Sequence, residues 1–506
     1  MNKKHQFARA HSRSIHQPPA SGQRPRPATR QDVKTAVKEL IDYHHAFERF
    51  FQRHEQADWS WFYLCGQLSN LERKTIEPMV LAWLGAVPNA VRNLQRFMSQ
   101  SEWDIRGPMI QLQAWVAEWM GERDGIVVVD GSGFPKQGKH SVGVARQYCG
   151  HLGKIANCQE GIFLGYVSRR GYGFLDERLY LPQKWFDADH RLLRKACGLP
   201  ENIRFQTEGE LALDMLQEMD ERGVIPFQWV VFDESFGKNP AFLHEIVAMH
   251  RWYLAEVPSD TRVWERTPLV EEPGPGLMGR PRLYPRVRRS APPPEEVRVL
   301  AANLTKTAWH RHLIHEGSKG PLAADFAVLR VTPVHDRLPA IRQWLILRRS
   351  WRPQPELKFY LSNAPANCPK AELIRVSGLR WPIETSLEES KGEVGMDHYE
   401  MRTWLGWHHH MFQTFMAHLF LMRLRLIFKK NYPHLPFLKL GSWWHQLFPR
   451  ELSMPMMVYP RSTTISGETI WPTALTASTT SINAAPWLQK GPAAKRRSNI
   501  QNVVVI

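Results

Sequence analysis

Two short apolar runs, each closed by an aspartate, set the strongest limit on the fold. The first is Gly125-Ile-Val-Val-Val-Asp130-Gly-Ser-Gly, and the second is Phe227-Gln-Trp-Val-Val-Phe-Asp233-Glu-Ser-Phe-Gly237. A short β-branched or aromatic run bounded by turn residues reads as a strand buried on both faces. Such strands need helices packed against them, which points to the α/β class. Asp130 is expected at or just past the end of the first strand, and Asp233 at the end of the second. Open sheets place ligand-binding residues at strand ends. A single aspartate there is usually a turn or cap residue; two of them ask for a third partner.

That partner lies in Arg380-Trp-Pro-Ile-Glu384-Thr-Ser-Leu-Glu-Glu-Ser-Lys391. Pro382 suits the first turn of a helix, where its missing N–H costs little. At 3.6 residues per turn Glu384, Glu388 and Lys391 share one face, and Arg380 reaches the same side from just before the helix. A solvated charged helix has the same pattern. Read with Asp130 and Asp233, however, Glu384 completes a set of three carboxylates, enough to hold two Mg²⁺ ions for in-line phosphoryl chemistry. The flanking cations suit phosphates.

Charge narrows the partner. The chain carries a formal net charge of +17, which calls for a polyanion, either nucleic acid or an anionic membrane surface. No apolar run reaches the roughly 20 residues that span a bilayer. The best candidate, Met416 to Phe428, is broken by His418, Arg423 and Arg425. The five cysteines form no Cys-x-x-Cys pair, which argues against a zinc ribbon and fits a reducing cytoplasm. His408-His-His410 suggests a metal site, but adjacent helical residues diverge by about 100° and cannot converge on one ion.

In chain order, residues 1–30 read as a disordered basic arm. Residues 31–122 read as helical, with Val33, Val37, Leu40, Ile41, His44 and Phe47 at helical spacing. Arg73, Lys74, Arg92 and Arg96 are expected on the surface of this bundle, which is either a DNA-binding domain or an ordinary helical bundle. Residues 123–250 begin an α/β core: after the Asp130 strand, Ser141 to Tyr148 and Gly161 to Ser168 look like strands, with a turn in Asn157 to Gly161. The helix with Leu211, Met215, Leu216 and Met219 then precedes the Asp233 strand. Strand, strand, strand, helix, strand is the opening order of a ribonuclease-H-like fold. Lys136 and Lys139 lie in a basic turn after Asp130 and are candidate phosphate contacts. Residues 251–378 read as a β-rich insertion, with strands at Trp252 to Val257, Val297 to Leu300, Ala324 to Thr332, Trp344 to Arg348 and Leu357 to Leu361. Residues 379–430 close the core with helices, and 431–506 form a largely disordered extension.

Together these motifs resemble the DDE transposases of bacterial insertion sequences, over about residues 35 to 430. Arg380, Glu384 and Lys391 match the Tyr-x2-Arg-x3-Glu-x6-Lys signature of one branch; Ser377 stands where that branch has tyrosine. The stretch from Asp130 to Gly150 is similar to the first-aspartate block of such a family. The resemblance implies Asp130, Asp233 and Glu384 as metal-binding catalytic acids for two Mg²⁺, with Mn²⁺ able to substitute. It implies Lys136, Lys139, Arg380 and Lys391 as DNA-binding residues. It also implies cut-and-paste chemistry on terminal inverted repeats and target DNA, by a homodimer in the bacterial cytoplasm at the nucleoid, without a membrane. A metal-dependent nuclease that never joins ends, and a noncatalytic DNA-binding descendant, are the alternatives. Glu234, Glu388 and Glu389 are neighbouring acids that the signature spacing passes over.

Overall fold

The computed structural model describes residues 29–274, 283–317, 320–351, 355–429, 463–465 and 468–470. The basic arm and most of the extension after 430 lie outside the described residues. The chain divides into two units, 1–459 and 460–506. Of the second, a hairpin of Thr463–Ile465 and Glu468–Ile470 is described.

Five helices open the first unit: α1 (Arg30–His45), α2 (His54–Gln67), α3 (Ile76–Trp83), α4 (Ala90–Ser99) and α5 (Arg106–Met120). Thr29 starts α1 with a capping box: its hydroxyl accepts from Asp32 N, and the Asp32 carboxylate accepts from Thr29 N. Ala36, Leu40 and Tyr43 are its buried stripe, and Phe47 just past its end is buried too. Lys74 departs from expectation. It is buried, and its ammonium donates to the carbonyls of Gln67 and Ser69. Arg73 is ion-paired with Glu400 at 2.5 Å.

The sheet begins with β1 (Ile126–Pro135), β2 (Ala145–Cys149), β3 (Lys154–Val167) and β4 (Tyr172–Tyr180). It continues after helix α6 (Glu208–Arg222) with β5 (Trp229–Phe232), helix α7 (Pro240–Ala248) and β6 (Trp252–Val257). β3 pairs antiparallel with β1, β2 and β4, whereas β1, β5 and β6 pair in parallel. Two sequence expectations change here. Asn157 to Gly161 is not a turn but the middle of β3, and the strand beyond β3 is β4. β4 escapes pattern reading because Asp176, Glu177 and Arg178 interrupt its apolar run. Asp176 and Glu177 are buried and Arg178 half-buried, and they pair with Arg106, His408 and Glu218 from distant elements.

The longer strands of the rest of the sheet come from beyond β6: β7 (His310–Gly317), β8 (Gly320–His335), β9 (Gln343–Ser350) and β10 (Leu357–Ser362). β10 pairs with β6, β9 with β10, β8 with β9, and β7 with β8, all antiparallel. The core strands and the later β-rich segment are therefore one continuous sheet. Val297 to Leu300 is not a strand. Helix α8 (Val297–Asn303) occupies it, because Val297, Leu300 and Ala301 recur at helical spacing and are buried together.

Helices α9 (Lys370–Ser377), α10 (Trp381–Val394) and α11 (Trp404–Phe428) close the unit. α11 is long and apolar enough to cross a membrane by composition, but 78% of its most apolar window is buried inside this fold. It is the core axis, packed against α2, α4, α5 and β4. Its three consecutive histidines diverge as helical geometry requires. His408 Nδ1 lies 2.8 Å from Glu177 Oε1, His409 Nδ1 2.9 Å from Met98 O, and His410 Nδ1 2.8 Å from Tyr63 Oη.

Candidate active site

The parallel register builds the site. Val129 aligns with Phe232, and Phe232 with Ala255. The next residue on each chain is an acid: Asp130, Asp233 and Glu256. Three neighbouring strands thus bring carboxylates to one level. Asp130 is not at the end of its strand. The parallel pairing stops there, but β1 runs on to Pro135 against β3. Gly133 leaves room for Cys149, whose sulfur would stand 2.7 Å from a Cβ there, and the Glu160 carboxylate lies beside both Gly131 and Gly133. Asp233 caps the short turn Glu234–Gly237, its Oδ1 accepting from Ser235 N at 3.0 Å. Gly237 lets that turn lie on β6, since a Cβ would come within 2.1 Å of the Glu256 carbonyl.

Helix α10 delivers the third predicted acid. Glu384 sits in its first turn, and Arg380 is the residue before the helix. The Arg380 guanidinium is ion-paired with Glu384, and lies 3.7 Å from Asp130 Oδ1 and 3.9 Å from Glu256 Oε2. Burial works to lower the Arg380 pKa, but Asp130, Glu384, Glu256 and Asp233 outweigh it and hold the group above its usual value. The Asp130 carboxyl is pushed up to about 7, chiefly by burial; Arg380 opposes the rise, and Asp233 and Glu384 add to it. Glu384 is therefore the α10 acid that acts on Asp130. Glu389 turns inward instead and accepts from Tyr172 Oη at 3.0 Å. Glu388 and Glu234 are exposed.

Sequence reading missed Glu256, Glu160 and Glu208. Glu256 had one visible signal, an acid interrupting the apolar strand Trp252-Tyr-Leu-Ala-Glu-Val. Glu160 is pushed up to about 8, chiefly by burial, then by Glu208, with Lys391 opposing and Asp130 and Asp233 adding. Burial, then Asp233, also raise Glu208.

The predicted cations divide. Arg380 lies among the acids. Lys391 ties α10 to β1, its ammonium donating to Ser132 Oγ at 2.9 Å and Gly133 O at 3.3 Å. Lys136 is engaged elsewhere, donating to Tyr399 O at 3.1 Å and lying 3.3 Å from the Tyr399 ring centroid. Burial pushes it down to about 7. Lys139 is exposed. Ser377 is buried, its hydroxyl donating to Ile374 O at 2.8 Å.

Among the described residues no three His, Cys, Asp or Glu side chains stand gathered as a ready metal cluster. The donor chemistry nevertheless fits a hard divalent cation: the acids offer oxygen only, and Asp130 is buried among like charges. A guanidinium supplies the positive charge between them in this structure. A pH dependence follows. Below about 7 Asp130 keeps a proton that an incoming cation must displace. Mg²⁺ affinity, read by calorimetric titration, is expected to rise up to about tenfold per pH unit toward 7 and then flatten. Metal-free stability has the opposite sign. The unfolded chain releases this proton near 3.8 and the fold holds it to about 7, so the Asp130 contribution is lost as pH rises across that window.

Comparison with known proteins gives three findings. Residues 46–321 match the family described as DDE superfamily endonuclease, a span that contains Asp130 and Asp233 and ends before Glu384. The probable transposase for insertion sequence element IS701 from Microchaete diplosiphon is 21% identical over 342 residues, 66% of this chain and 74% of that protein. The crystal structure of the NurA nuclease from Sulfolobus solfataricus covers 60% of this chain and 89% of its own at 10% identity, with a TM-score of 0.23, too low to argue a fold from.

Proposed function

Because the chain belongs to the DDE superfamily of endonucleases, we propose that it is an insertion-sequence transposase that cuts the ends of its element and joins them to target DNA. The observation that carries this reading is the meeting of Asp130 and Asp233, both inside the family match, with the Arg380–Glu384 pair from α10. A ribonuclease-H-like core is the fold proposed, on the strand order β4-β3-β1-β5-β6 with antiparallel pairs first and parallel pairs after. The proposed organisation keeps a DNA-binding helical domain at 31–122 and a β-rich DNA-contacting insertion at 251–378. The proposed assembly is a homodimer holding two ends, in the cytoplasm at the nucleoid.

Asp130, Asp233 and Glu384 are the residues that would hold two Mg²⁺, which when bound supply activation of water or a 3′-hydroxyl and stabilisation of the leaving oxygen. The protein's own part is positioning. The β1, β5 and β6 register fixes two acids, and the contacts of Lys391 with Ser132 and Gly133 dock α10 so that Glu384 faces them. Arg380, once its acids are neutralised by other cations, is free to turn its planar fork to a phosphate of the strand being cut. Incubation with DNA flanking the gene and Mg²⁺, followed by mapping of cut ends, tests the reading. The expected result is paired cuts at inverted repeats with 3′-hydroxyl ends and joined products. Scattered cuts without joining would assign a nuclease instead.

A further inference from the structure

The row of acids ends at β6, and a row of cations continues it. On β9 and β10, Arg348 and Lys358 stand directly opposite each other in the antiparallel register. Opposite residues of a pair point to the same face, so two like charges face one another, an arrangement that destabilises a sheet unless an anion compensates. Lys358 has such a partner in Glu256, at 3.0 Å. The Arg348 guanidinium has none among the described residues. Arg380 closes the third side, and the three cations line a cavity of about 160 Å³ with Tyr360, Trp381 and Glu384. Ser377 and Gly378 form part of its wall, and a small side chain at one and none at the other leave the space open.

From this juxtaposition we infer that Arg348 and Lys358 form a seat for one backbone phosphate of the DNA strand, next to the one that Arg380 holds over the acids. The inference rests on the proposed function for its ligand. The cavity admits a phosphate group and shares Arg380 and Glu384 with the candidate site, so its occupant is continuous with whatever strand lies there. Glu256 is a positioning residue: it spans Lys358 and Arg380 and so ties the seat to the acids of the candidate site. The ligand is recognised by charge and not by base, so the seat sets register along the strand.

The test is fluorescence anisotropy of a labelled duplex taken from DNA flanking the gene, in EDTA, over a range of salt. Arg348→Gln and Lys358→Gln should each flatten the slope of log affinity against log salt by about 0.9, the loss of one phosphate contact. Arg348→Lys should keep the slope, and cooperative thermal unfolding checks that each variant folds. Unchanged slopes in both glutamine variants overturn the seat. Unchanged slopes with measurable calorimetric binding of inorganic phosphate that Arg348→Gln abolishes assign the cavity to a free anion, and also overturn it. Cleavage in Mg²⁺ is scored separately. Flattened slopes without end-specific cleavage leave the seat standing and remove the transposase reading, and cleavage with unchanged slopes does the reverse.

Discussion

Alanine at Asp130, Asp233 or Glu384 is expected to lower cleavage at element ends by at least about 10³-fold, or ~4 kcal/mol of transition-state stabilisation, while DNA binding in EDTA stays within a few-fold of the unsubstituted protein. The three acids approach from β1, from the turn after β5 and from α10, so removal of one leaves the others in place. The substitutions separate in stability. Asp130 is buried and resists ionisation up to about 7, so Asp130→Asn should raise the metal-free melting temperature at alkaline pH, with a gain that shrinks as pH falls. Mg²⁺ should raise the melting temperature of the unsubstituted protein but not of Asp130→Asn. Glu384 lies exposed in the first turn of α10, so its removal takes no buried group out of the fold. A folded Glu384→Ala protein that still cuts, beside a Glu388→Ala protein that does not, would falsify the assignment of Glu384.

What the sequence made legible follows from how local each signal is. Asp130 and Asp233 stand out in the sequence because the parallel-paired part of each strand is a continuous apolar run and the acid that breaks it is visible, although β1 itself continues past Asp130 to Pro135. The Arg380–Glu384 contact is legible because helical spacing puts both residues on one side. Glu256 was hidden: its place beside Asp233 exists only through the register of β5 with β6, and pairing register is not written in either strand alone. Lys136 shows the same limit from the other side. A basic loop residue reads as a phosphate contact until the chain brings Tyr399, 263 residues away, against its ammonium. Lys391, by sequence a candidate DNA contact, docks its own helix on β1. Val297 to Leu300 was legible but misread, since a short apolar run fits either period and only burial at Val297, Leu300 and Ala301 decides.

Arg380→Ala is expected to cost about 10²-fold or more in cleavage, the scale of losing a fixed donor to a developing charge, and its effect on the metal should run both ways. In the resting protein the guanidinium faces Asp130, Glu384, Glu256 and Asp233, and it lowers the Asp130 pKa against burial. Without it the Asp130 proton is held more tightly, so the pH at which Mg²⁺ begins to bind should move up. Above that pH the same acids, freed of a competing cation, should bind Mg²⁺ more tightly than before. Cleavage should stay low there, because the phosphate has lost its planar two-point contact. Arg380→Lys should restore the pH of Mg²⁺ binding better than it restores cleavage: an ammonium supplies charge but not the fork. Lys391→Ala should differ by loosening α10 from Ser132 and Gly133, which slows the first nick on intact ends as well as later steps on pre-nicked ends. Single-turnover rates on both substrates, with Mg²⁺ titrations across pH, separate the two. If Arg380→Ala leaves the pH of Mg²⁺ binding and both rates unchanged, the guanidinium is only a surface counterion and the site has been built around the wrong cation.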